Sequence, residues 1–471
     1  MSTPTGIFLF DTQSRTQKEL IISDGSALRI YCCGPTVYRD AHVGNLRTFL
    51  LADLVLRLAK LKGFDSRLIQ NITDVGHMGN DFEDDSESED KVIAQAKQEK
   101  LNPFDIARKY EEKFHQDLAH LRFTPAAVYP RASESILLMQ NLISELLSKN
   151  HAYIGKDKSV YFDSQSFASY GAISGNHLDA LKPGHRYDYV DDGKKLFHAD
   201  WALWKAAGSR TSMIWESPWG EGFPGWHVEC SAMALHYLDG HVDLHIGGID
   251  LRFPHHENER AQSNGVTATE AVDVWLHGEH LLFEGRKMSK SAGNVVLLAD
   301  LIERGFDPLA LRLCFMETKY RSQMDLTWKA IEAADATIKR WRNKYQEWRQ
   351  DVSHVDPEAL QSLLRGIISD LSTDLDTPKA IIKLREIERD ESISRTTRAN
   401  LFEIVDQFFG LGITDNRSIR VLGAEEEKLL NEREIARAQR DFAKSDELRE
   451  ALLARKIKVI DTPTSQTWEV I

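Results

Sequence analysis

Side chains that can bind a metal ion or transfer a proton are concentrated in one short segment, Pro224–Glu259. Its reactive residues include Cys230, His245, His255, His256, Glu257 and Glu259. His255 and Glu259 are four positions apart and share one face of a helix, whereas Glu257 points elsewhere. Thiolate, imidazole and carboxylate together suit a borderline-soft ion such as zinc. The segment therefore predicts Cys230, His255 and Glu259 as three metal ligands, with a fourth from elsewhere in the chain.

The composition describes the setting of such a site. With 471 residues the chain is too long for one hydrophobic core and predicts about three domains. Its 42% hydrophobic and 28% charged residues are typical of a soluble globular protein. Four cysteines in this length argue against a disulfide framework and for a reducing compartment. A cysteine beside histidine and glutamate is then better explained as a metal ligand than as half of a bridge.

Charge and hydropathy exclude some classes of protein. The net charge of −13 argues against indiscriminate nucleic-acid binding, although a basic patch on one face could still hold an RNA. The N-terminus lacks a basic segment followed by a long apolar run, so we expect no signal peptide. No stretch approaches about 18 apolar residues, so no membrane span is expected. These observations predict a cytoplasmic protein.

A βαβ unit stands at the start of the chain. Ala27–Cys33 is apolar and β-branched, which is typical of a buried strand, and Arg67–Thr73 predicts a second strand. Between them, Leu46–Leu61 has apolar residues at helical spacing. A strand, helix and strand at this spacing predict a parallel sheet. Because neighbours on a strand face opposite sides, only one of Cys32 and Cys33 can face a given site.

The parallel pattern is interrupted and then resumes. Helical patterns fill Asp90–Lys100, Pro103–Leu121 and Ser133–Asn150, and Tyr153–Asp163 predicts a hairpin. The broken pattern over Thr124–Gly222 predicts an inserted domain. Strands at Val242–Gly247 and Val272–Leu282, around a helix beginning in Phe253–Ser263, then restore the α/β pattern. Further helices are predicted over Asp307–Phe315, Asp325–Val352, Pro357–Phe409 and Ala424–Arg455, before a β tail at Lys456–Ile471.

The sequence thus predicts an α/β fold: a Rossmann-like parallel-sheet catalytic domain with an inserted domain, followed by an α-helical bundle and a small C-terminal α/β domain. One loop stands out by charge. Asp81–Asp90 carries seven carboxylates in ten residues, which we interpret as a solvated loop, with a divalent-cation site as the lesser alternative.

Two further motifs could bind phosphate. His42-Val43-Gly44-Asn45 opens a helix, where backbone N–H groups and the helix dipole favour anions, and Gly44 lets a ring or phosphate approach. Taken alone, it could equally be a helix cap. Lys287-Met288-Ser289-Lys290-Ser291 places two lysines on a glycine-flanked loop that could close on a triphosphate, although an exposed basic loop is the simpler explanation.

Together these segments resemble the class I aminoacyl-tRNA synthetases, and most closely the cysteinyl-tRNA synthetase family. The likeness extends from near residue 31 to residue 468 and rests on YCCGPTVYRDAHVGN, QNITDV, PGWHVECSAM, GGIDLRFPHHENE, KMSKS, YRSQMD, DFAKSDELR and DTPTSQTW. Where the family's first signature usually reads HIGH, this chain has HVGN, so Asn45 can donate a hydrogen bond but carries no charge.

The resemblance implies one zinc ion per chain, with ATP and Mg²⁺ entering as substrate. The implied zinc ligands are Cys33, Cys230, His255 and Glu259, which leaves Cys32 as a packed small hydrophobe. The implied catalytic residues are His42, Asn45, Lys287 and Lys290. The implied nucleotide-binding residues are Gly44, Gly248, Asp250 and Lys290, and the implied amino-acid pocket contains Thr73, Trp226 and His245. Each of these residues taken singly could serve packing alone.

The resemblance also implies function and domain order. It implies activation of L-cysteine with ATP and transfer to tRNA(Cys) by a cytoplasmic, non-membrane enzyme that we expect to be a monomer. The expected regions are 1–123 with 223–275 as the catalytic domain, 124–222 as the inserted connective-peptide domain, 276–324 as the KMSKS and tRNA stem-contact region, 325–412 as the helical anticodon-binding bundle, and 413–471 as the small anticodon-recognition domain.

Three arginines spaced by four and three positions predict one RNA-facing helix face, with a solvated face as the alternative; the candidates for anticodon contact are Arg433, Arg437, Arg440 and Trp468. Two other functions stay open. One is a ligase that joins activated cysteine to a small amine, as mycothiol-type ligases do. The other is a non-catalytic, zinc-stabilised RNA-binding protein.

Overall fold

The structure is a computed structural model that describes residues 2–23, 25–78, 89–181, 195–288, 293–351, 354–415, 424–455, 457–461 and 466–470. Lys290 and most of the predicted acidic loop Asp81–Asp90 lie outside these residues. The chain forms two compact units, Met1–Thr414 and Asp415–Ile471. The predicted domain boundaries within the first unit stay predictions.

The strands and helices of both units are numbered in chain order. The strands are β1 Thr3–Asp11, β2 Thr16–Ile22, β3 Leu28–Cys32, β4 Ser66–Gln70, β5 Ala152–Ile154, β6 Val160–Phe162, β7 Trp201–Ala206, β8 Gly222–Pro224, β9 Val242–Gly248, β10 Val272–Gly278, β11 Leu281–Phe283, β12 Arg286–Lys287, β13 Met324–Leu326, β14 Ile457–Asp461 and β15 Gln466–Val470. The helices are α1 Val43–Leu61, α2 Lys91–Glu99, α3 Pro103–His120, α4 Ile136–Ser148, α5 Trp226–Tyr237, α6 His255–Thr267, α7 Leu298–Glu303, α8 Pro308–Met316, α9 Trp328–Trp348, α10 Pro357–Ser372, α11 Thr377–Arg389, α12 Arg395–Phe409, α13 Ala424–Ala438 and α14 Phe442–Ala454.

A four-stranded parallel sheet in the order β10-β9-β3-β4 forms the centre of the first unit. The predicted βαβ unit is β3-α1-β4. The chain passes from β3 to β4 on one side and later returns to β9 on the other, so the strand order reverses between β3 and β9. In open α/β sheets the crevice at the carboxyl ends of the strands beside such a reversal is the usual place for a ligand.

The two faces of β3 meet different cores because side chains alternate along a strand. Ile30 and Cys32 pack into the large core that also contains the apolar face of α1. Tyr31 and Cys33, the residue just after β3, pack on the opposite side with Cys230 from α5. The prediction that only one of the two adjacent cysteines faces the site is therefore confirmed.

Two element predictions need correction, and a third is confirmed. Val272–Leu282 is two strands, β10 and β11, because the run breaks after Gly278. The helix predicted to begin in Phe253–Ser263 does so, at His255, and continues to Thr267. Ala424–Arg455 is two helices, since Arg440 adopts a left-handed conformation and Asp441 caps α14.

Smaller elements complete the first unit. An antiparallel sheet in the order β5-β6-β7-β8 interrupts the parallel pattern, as predicted, and shares a core with α4, α5 and α6. Helices α9 to α12 form the predicted helical region. The predicted α/β fold class is thus confirmed. Among the described residues, no helix combines the length and apolarity needed to cross a membrane.

The second unit contains α13, α14 and the antiparallel pair β14-β15. Its small core is formed by Leu430, Leu452, Ile457 and Val459. The expected row of three arginines on one helix face is wrong. Arg440 lies beyond the end of α13, and Arg433 is 1% exposed and donates to Gln466 Oε1 at 2.6 Å. A side chain buried in this way is not presented to an RNA.

Candidate metal and nucleotide site

Four predicted ligands come together at the carboxyl edge of the central sheet. Cys33 follows β3, Cys230 lies on α5, and α6 supplies both His255 and Glu259. Their donor atoms all lie within 4.8 Å of one another, and none of the four residues is more than 4% exposed. The site stands beside the reversal between β3 and β9, where Cys33 N donates to Ile246 O at 3.1 Å.

The distances within this tetrad suit one shared ion. The two sulfur atoms, Cys33 Sγ and Cys230 Sγ, are 3.9 Å apart. This is far longer than a disulfide, and close to the separation of about 3.8 Å expected for two thiolates 2.3 Å from one tetrahedral ion. His255 Nε2 and Glu259 Oε1 lie 2.8 Å apart, as their helical spacing predicts. Glu257 turns away and accepts from the backbone of Ile173 and Ser174.

The ionisation of the buried acidic groups also favours a shared metal ion. Burial, and then the neighbouring Cys230, raise the pKa of the Cys33 thiol well above its usual range. For Cys230, burial is outweighed by the hydrogen bond from Cys33 and by His255, so its pKa is about 7. Burial also raises the pKa of Glu259, whose Oε2 has no hydrogen-bond partner among the described residues. A cation would let all three acidic groups ionise and would give that oxygen a partner, so the residues fit a metal ion.

Neighbouring histidines hold the ligands in place. His227 Nδ1 lies 2.8 Å from His255 Nδ1, which fixes the ring and leaves Nε2 facing the tetrad. Sequence reasoning missed His227, and its position three residues before Cys230 on the same helix was the available signal. The ring of His255 also stacks on Trp226, with centroids 4.3 Å apart.

A second set of donors overlaps the first. Cys33, His245, His256 and Glu259 also lie within 4.8 Å of one another. His245 was predicted for the amino-acid pocket, and its Nε2 lies 3.4 Å from Cys33 Sγ. His256, which received no role from the sequence, lies 3.3 Å from the same sulfur and 2.8 Å from His277. The first set offers two thiolates and this one only one, so the first suits zinc better.

A third group of possible ligands, His241, Asp243 and Asp273, lies at the opposite edge of the sheet, at the start of β9 and β10. Asp243 accepts from Ser23 Oγ and from the backbone N–H of Arg29, whose guanidinium lies 3.5 Å away. These partners explain the cluster without an ion.

The start of α1 forms a compact anion site. His42 caps the helix: its Nδ1 accepts from Asn45 N at 3.2 Å, and Asn45 Oδ1 accepts in return from His42 N at 3.2 Å. These bonds place the proton of His42 on Nε2, and among the described residues the Asn45 amide NH₂ has no acceptor and can donate to a ligand. Burial, followed by Arg39, lowers the pKa of His42 and keeps its ring neutral. Two neutral donors therefore stand at a helix end that favours anions.

Met288, near the start of the KMSKS segment, and Val296 and Leu297, which follow it, lie against this helix start. Met288 Cε lies 3.2 Å from the position of a Cβ at Gly44, so a larger residue would separate the two motifs. Beyond the segment, Val296 O accepts from Val43 N at 3.0 Å, and Leu297 forms a bridge with His42. Lys287, at the end of β12, is exposed.

The other predicted pocket residues lie along the same edge. Thr73 is buried and donates to Glu229 Oε2 at 3.0 Å, while accepting from Asn71 Nδ2 at 3.0 Å. Trp226 begins α5 beside the metal tetrad. Gly248 ends β9, where a Cβ would lie 2.3 Å from Asp250 Oδ1. Asp250 is exposed and near His42.

Two family models match the chain. Residues 20–336 match "tRNA synthetases class I (C) catalytic domain", and residues 420–468 match "Cysteinyl-tRNA ligase anticodon binding domain". A protein named "Cysteine--tRNA ligase" from Thermus thermophilus is 39% identical over 99% of this chain and 99% of its own length. The chain belongs to the cysteine–tRNA ligase family. A family member from Treponema denticola is 33% identical over 98% of this chain and 99% of its own.

Solved structures support the fold of this cysteine–tRNA ligase family member. Mycobacterium tuberculosis methionyl-tRNA synthetase, solved with methionyl-adenylate, superposes with a TM-score of 0.57 at 13% identity. The match covers 83% of this chain and 93% of that one. The class I synthetase fold predicted from the sequence is therefore confirmed.

Proposed function

We propose that the protein is a cysteine–tRNA ligase. It activates L-cysteine with ATP to cysteinyl-adenylate and pyrophosphate, then transfers cysteine to the 3′-terminal ribose of tRNA(Cys). One observation carries the proposal: the buried tetrad of Cys33, Cys230, His255 and Glu259 lies at the carboxyl edge of the parallel sheet, the edge at which α1 begins. The similarity over 99% of the chain to a protein of that name supports it.

The tetrad explains how cysteine could be selected without a separate editing site. Cysteine and serine are near-isosteres, which a pocket of fixed shape separates by only about 1–3 kcal/mol. Zinc held by the four residues would bind the substrate sulfur as a thiolate and bind a hydroxyl poorly. The chain contributes a fixed donor set, because His227 orients His255 and the surrounding packing excludes water.

The residues around the nucleotide would act by position and charge. His42 Nε2 and the Asn45 amide can donate to phosphate oxygens, and Lys287 with Lys290 would neutralise the departing pyrophosphate. Gly44, Gly248 and Asp250 would hold the nucleoside part, with ATP bound as its magnesium complex. Thr73, Trp226 and His245 would surround the amino acid.

The second step requires an RNA partner. The match of residues 420–468 to an anticodon-binding domain favours tRNA over a small amine as acceptor. We retain residues 276–324 for contact with the tRNA stem, 325–412 for the helical anticodon-binding bundle, and 413–471 for anticodon recognition. A cytoplasmic monomer remains part of the proposal, and light scattering of the purified chain tests the monomer.

The decisive experiment is ATP–pyrophosphate exchange across the standard amino acids. We expect exchange with cysteine, at least on the order of 10²-fold weaker exchange with serine, and loss of activity when a chelator removes the metal. Cys32→Ala is the matched control for Cys33→Ala, since the Cys32 side chain packs in the other core and should leave exchange unchanged. Equal exchange with serine, or full activity in the metal-free protein, contradicts the proposal.

A spectroscopic experiment tests the contact between metal and substrate. With cobalt in place of zinc, addition of cysteine should add a thiolate-to-metal absorption band, whereas serine should add none. Charging of bulk tRNA then separates a tRNA ligase from a small-amine ligase, and cysteine-dependent exchange separates either enzyme from an RNA-binding protein.

A further inference from the structure

His77 lies in the pocket although nothing in the sequence assigned it a role. It follows the NITDVG segment at the carboxyl edge of the sheet and is 8% exposed. Its backbone is fixed, because Lys91 N donates to His77 O at 2.9 Å and Asp90 Oδ2 accepts from Gly76 N at 2.8 Å. The imidazole is therefore held at one position relative to the start of α2.

One face of the His77 ring packs against Trp226. The two ring centroids are 4.1 Å apart and the planes differ by 10°. Trp226 also stacks on the metal-site residue His255, with centroids 4.3 Å apart and planes differing by 27°. The indole is thus held between two imidazoles, and removing His77 would free one side of it.

The edge of the His77 ring determines the direction of a nearby hydroxyl. Lys91 Nζ contacts His77 Nε2, and an ammonium group can only donate, so Nε2 is the acceptor. The ring proton is then on Nδ1, which lies 2.5 Å from Thr36 Oγ1. Thr36 Oγ1 therefore accepts from His77. In the described part of the chain this hydroxyl makes no other hydrogen bond, so its own proton is available to a ligand.

Thr73 presents the opposite polarity beside it. The two threonines form a bridge, with Thr73 N donating to Pro35 O and Val37 N to Thr73 O, each at 3.1 Å. The Thr73 hydroxyl donates its proton to Glu229 and accepts one hydrogen bond from Asn71, so its oxygen can accept one more. One hydroxyl is therefore a donor and its neighbour an acceptor, which matches the carboxylate and ammonium groups of a free amino acid.

We propose that His77 is a positioning residue of the amino-acid pocket, which fixes the plane of Trp226 and directs the Thr36 hydroxyl toward the substrate carboxylate. This proposal rests on the proposed function in that the ligand is cysteine. His77 acts on the pocket through Trp226 and Thr36, and the ring stacking can be kept while the hydrogen bonds are removed. His77→Phe keeps a stacking ring and removes the hydrogen bonds to Thr36 and Lys91, whereas His77→Ala removes the stacking as well.

The test is calorimetric binding to the zinc-loaded, full-length protein, which needs no catalysis. The probes are L-cysteine and cysteamine, which has the thiol and amine but no carboxylate. We expect His77→Phe to weaken cysteine about tenfold and cysteamine less than twofold. His77→Ala should weaken the binding of both probes, because Trp226 is no longer held in position by the stacked ring. Thr36→Val should reproduce the His77→Phe pattern, and adding His77→Phe to it should have no further effect.

Controls separate positioning from loss of structure. Zinc content and the thermal midpoint of each variant should match the wild type, and the KM for ATP in pyrophosphate exchange should change less than twofold. Equal losses for cysteine and cysteamine in His77→Phe, or no loss for either probe, overturn the proposal. A general loss of zinc, stability and ATP affinity also overturns it. Wild-type protein that binds cysteine but shows no exchange contradicts the proposed function and leaves the His77 proposal supported or refuted by binding alone.

Discussion

The metal corner and the nucleotide corner of the pocket lie at the same sheet edge but are built differently. The metal tetrad is buried, and its donors come from β3, α5 and α6. At the nucleotide corner, Asn45 and Lys287 are exposed and His42 is half-buried. The first corner uses charged donors that need an ion to coexist, whereas the second uses neutral donors and a helix end.

This difference follows from the two tasks. Distinguishing sulfur from oxygen needs fixed, desolvated ligands, because selectivity is lost if water can replace one of them. Stabilising a departing pyrophosphate needs donors that reach charge as it develops, and exposed groups on a helix start and a loop can provide them. We therefore expect substitutions at the metal corner to reduce stability and metal content, and those at the nucleotide corner to reduce catalysis without loss of stability or metal.

The largest effect should come from removing one ligand of the tetrad. His255→Ala is expected to lose the zinc ion and to reduce exchange on the order of 10³-fold or more, because three ligands remain in a buried site. Mass spectrometry measures the zinc content, and pyrophosphate exchange measures the loss of activity. The comparison variant is His256→Asn, which should keep the ion; the reverse pattern would assign the metal to Cys33, His245, His256 and Glu259.

Lys287→Ala should affect catalysis with little change elsewhere. Loss of one cation near the leaving group is expected to reduce the exchange rate about 10²-fold. Because Lys287 is exposed, the thermal midpoint and zinc content should be unchanged. Steady-state exchange, with KM for cysteine measured alongside, checks this. A Lys287→Ala protein that has lost zinc would remove the distinction between the corners.

Asn45→Asp separates stability from activity at one side chain. The carboxylate keeps the oxygen that accepts from His42 N, and its negative charge in the first turn of α1 should add about 0.3–1 kcal/mol of stability. The same charge replaces an amide donor facing phosphate, so exchange should fall on the order of 10²-fold with a raised KM for ATP. Thermal unfolding measures the change in stability, and exchange kinetics measure the change in activity. Unchanged activity would show that Asn45 serves only as a helix cap.

The smallest effect is expected at Cys32. Cys32→Ala should cost about 1 kcal/mol of stability through a small cavity, with zinc content and exchange unchanged. Cys33→Ala, one residue later, should lose the ion. Chemical unfolding and metal analysis of the two variants compare the faces of β3 directly, and similar metal loss in both would contradict the assignment.

Much of this molecule was predictable because the signals are local. Strand patterns around one helix gave the parallel β3-α1-β4 unit, and the four-residue spacing gave His255 and Glu259 on one face of α6. Residue alternation limited the choice between Cys32 and Cys33, and the resemblance selected Cys33. The signature motifs predicted phosphate binding for His42 and Lys287 without giving any distances.

The remaining features depended on contacts between residues distant in sequence. The distance between Cys33 and Cys230 and the overlap of two donor sets at Cys33 and Glu259 arise only when α5 and α6 pack near the end of β3. The stacking of His77 on Trp226 likewise joins two distant parts of the chain. Periodicity also could not show that Arg433 is buried. Sequence determines which elements form and which way their side chains face, because those are set within a few residues. The tertiary packing alone decides which polar atoms lose water together, and it is that shared desolvation which makes a metal site or a directed hydroxyl.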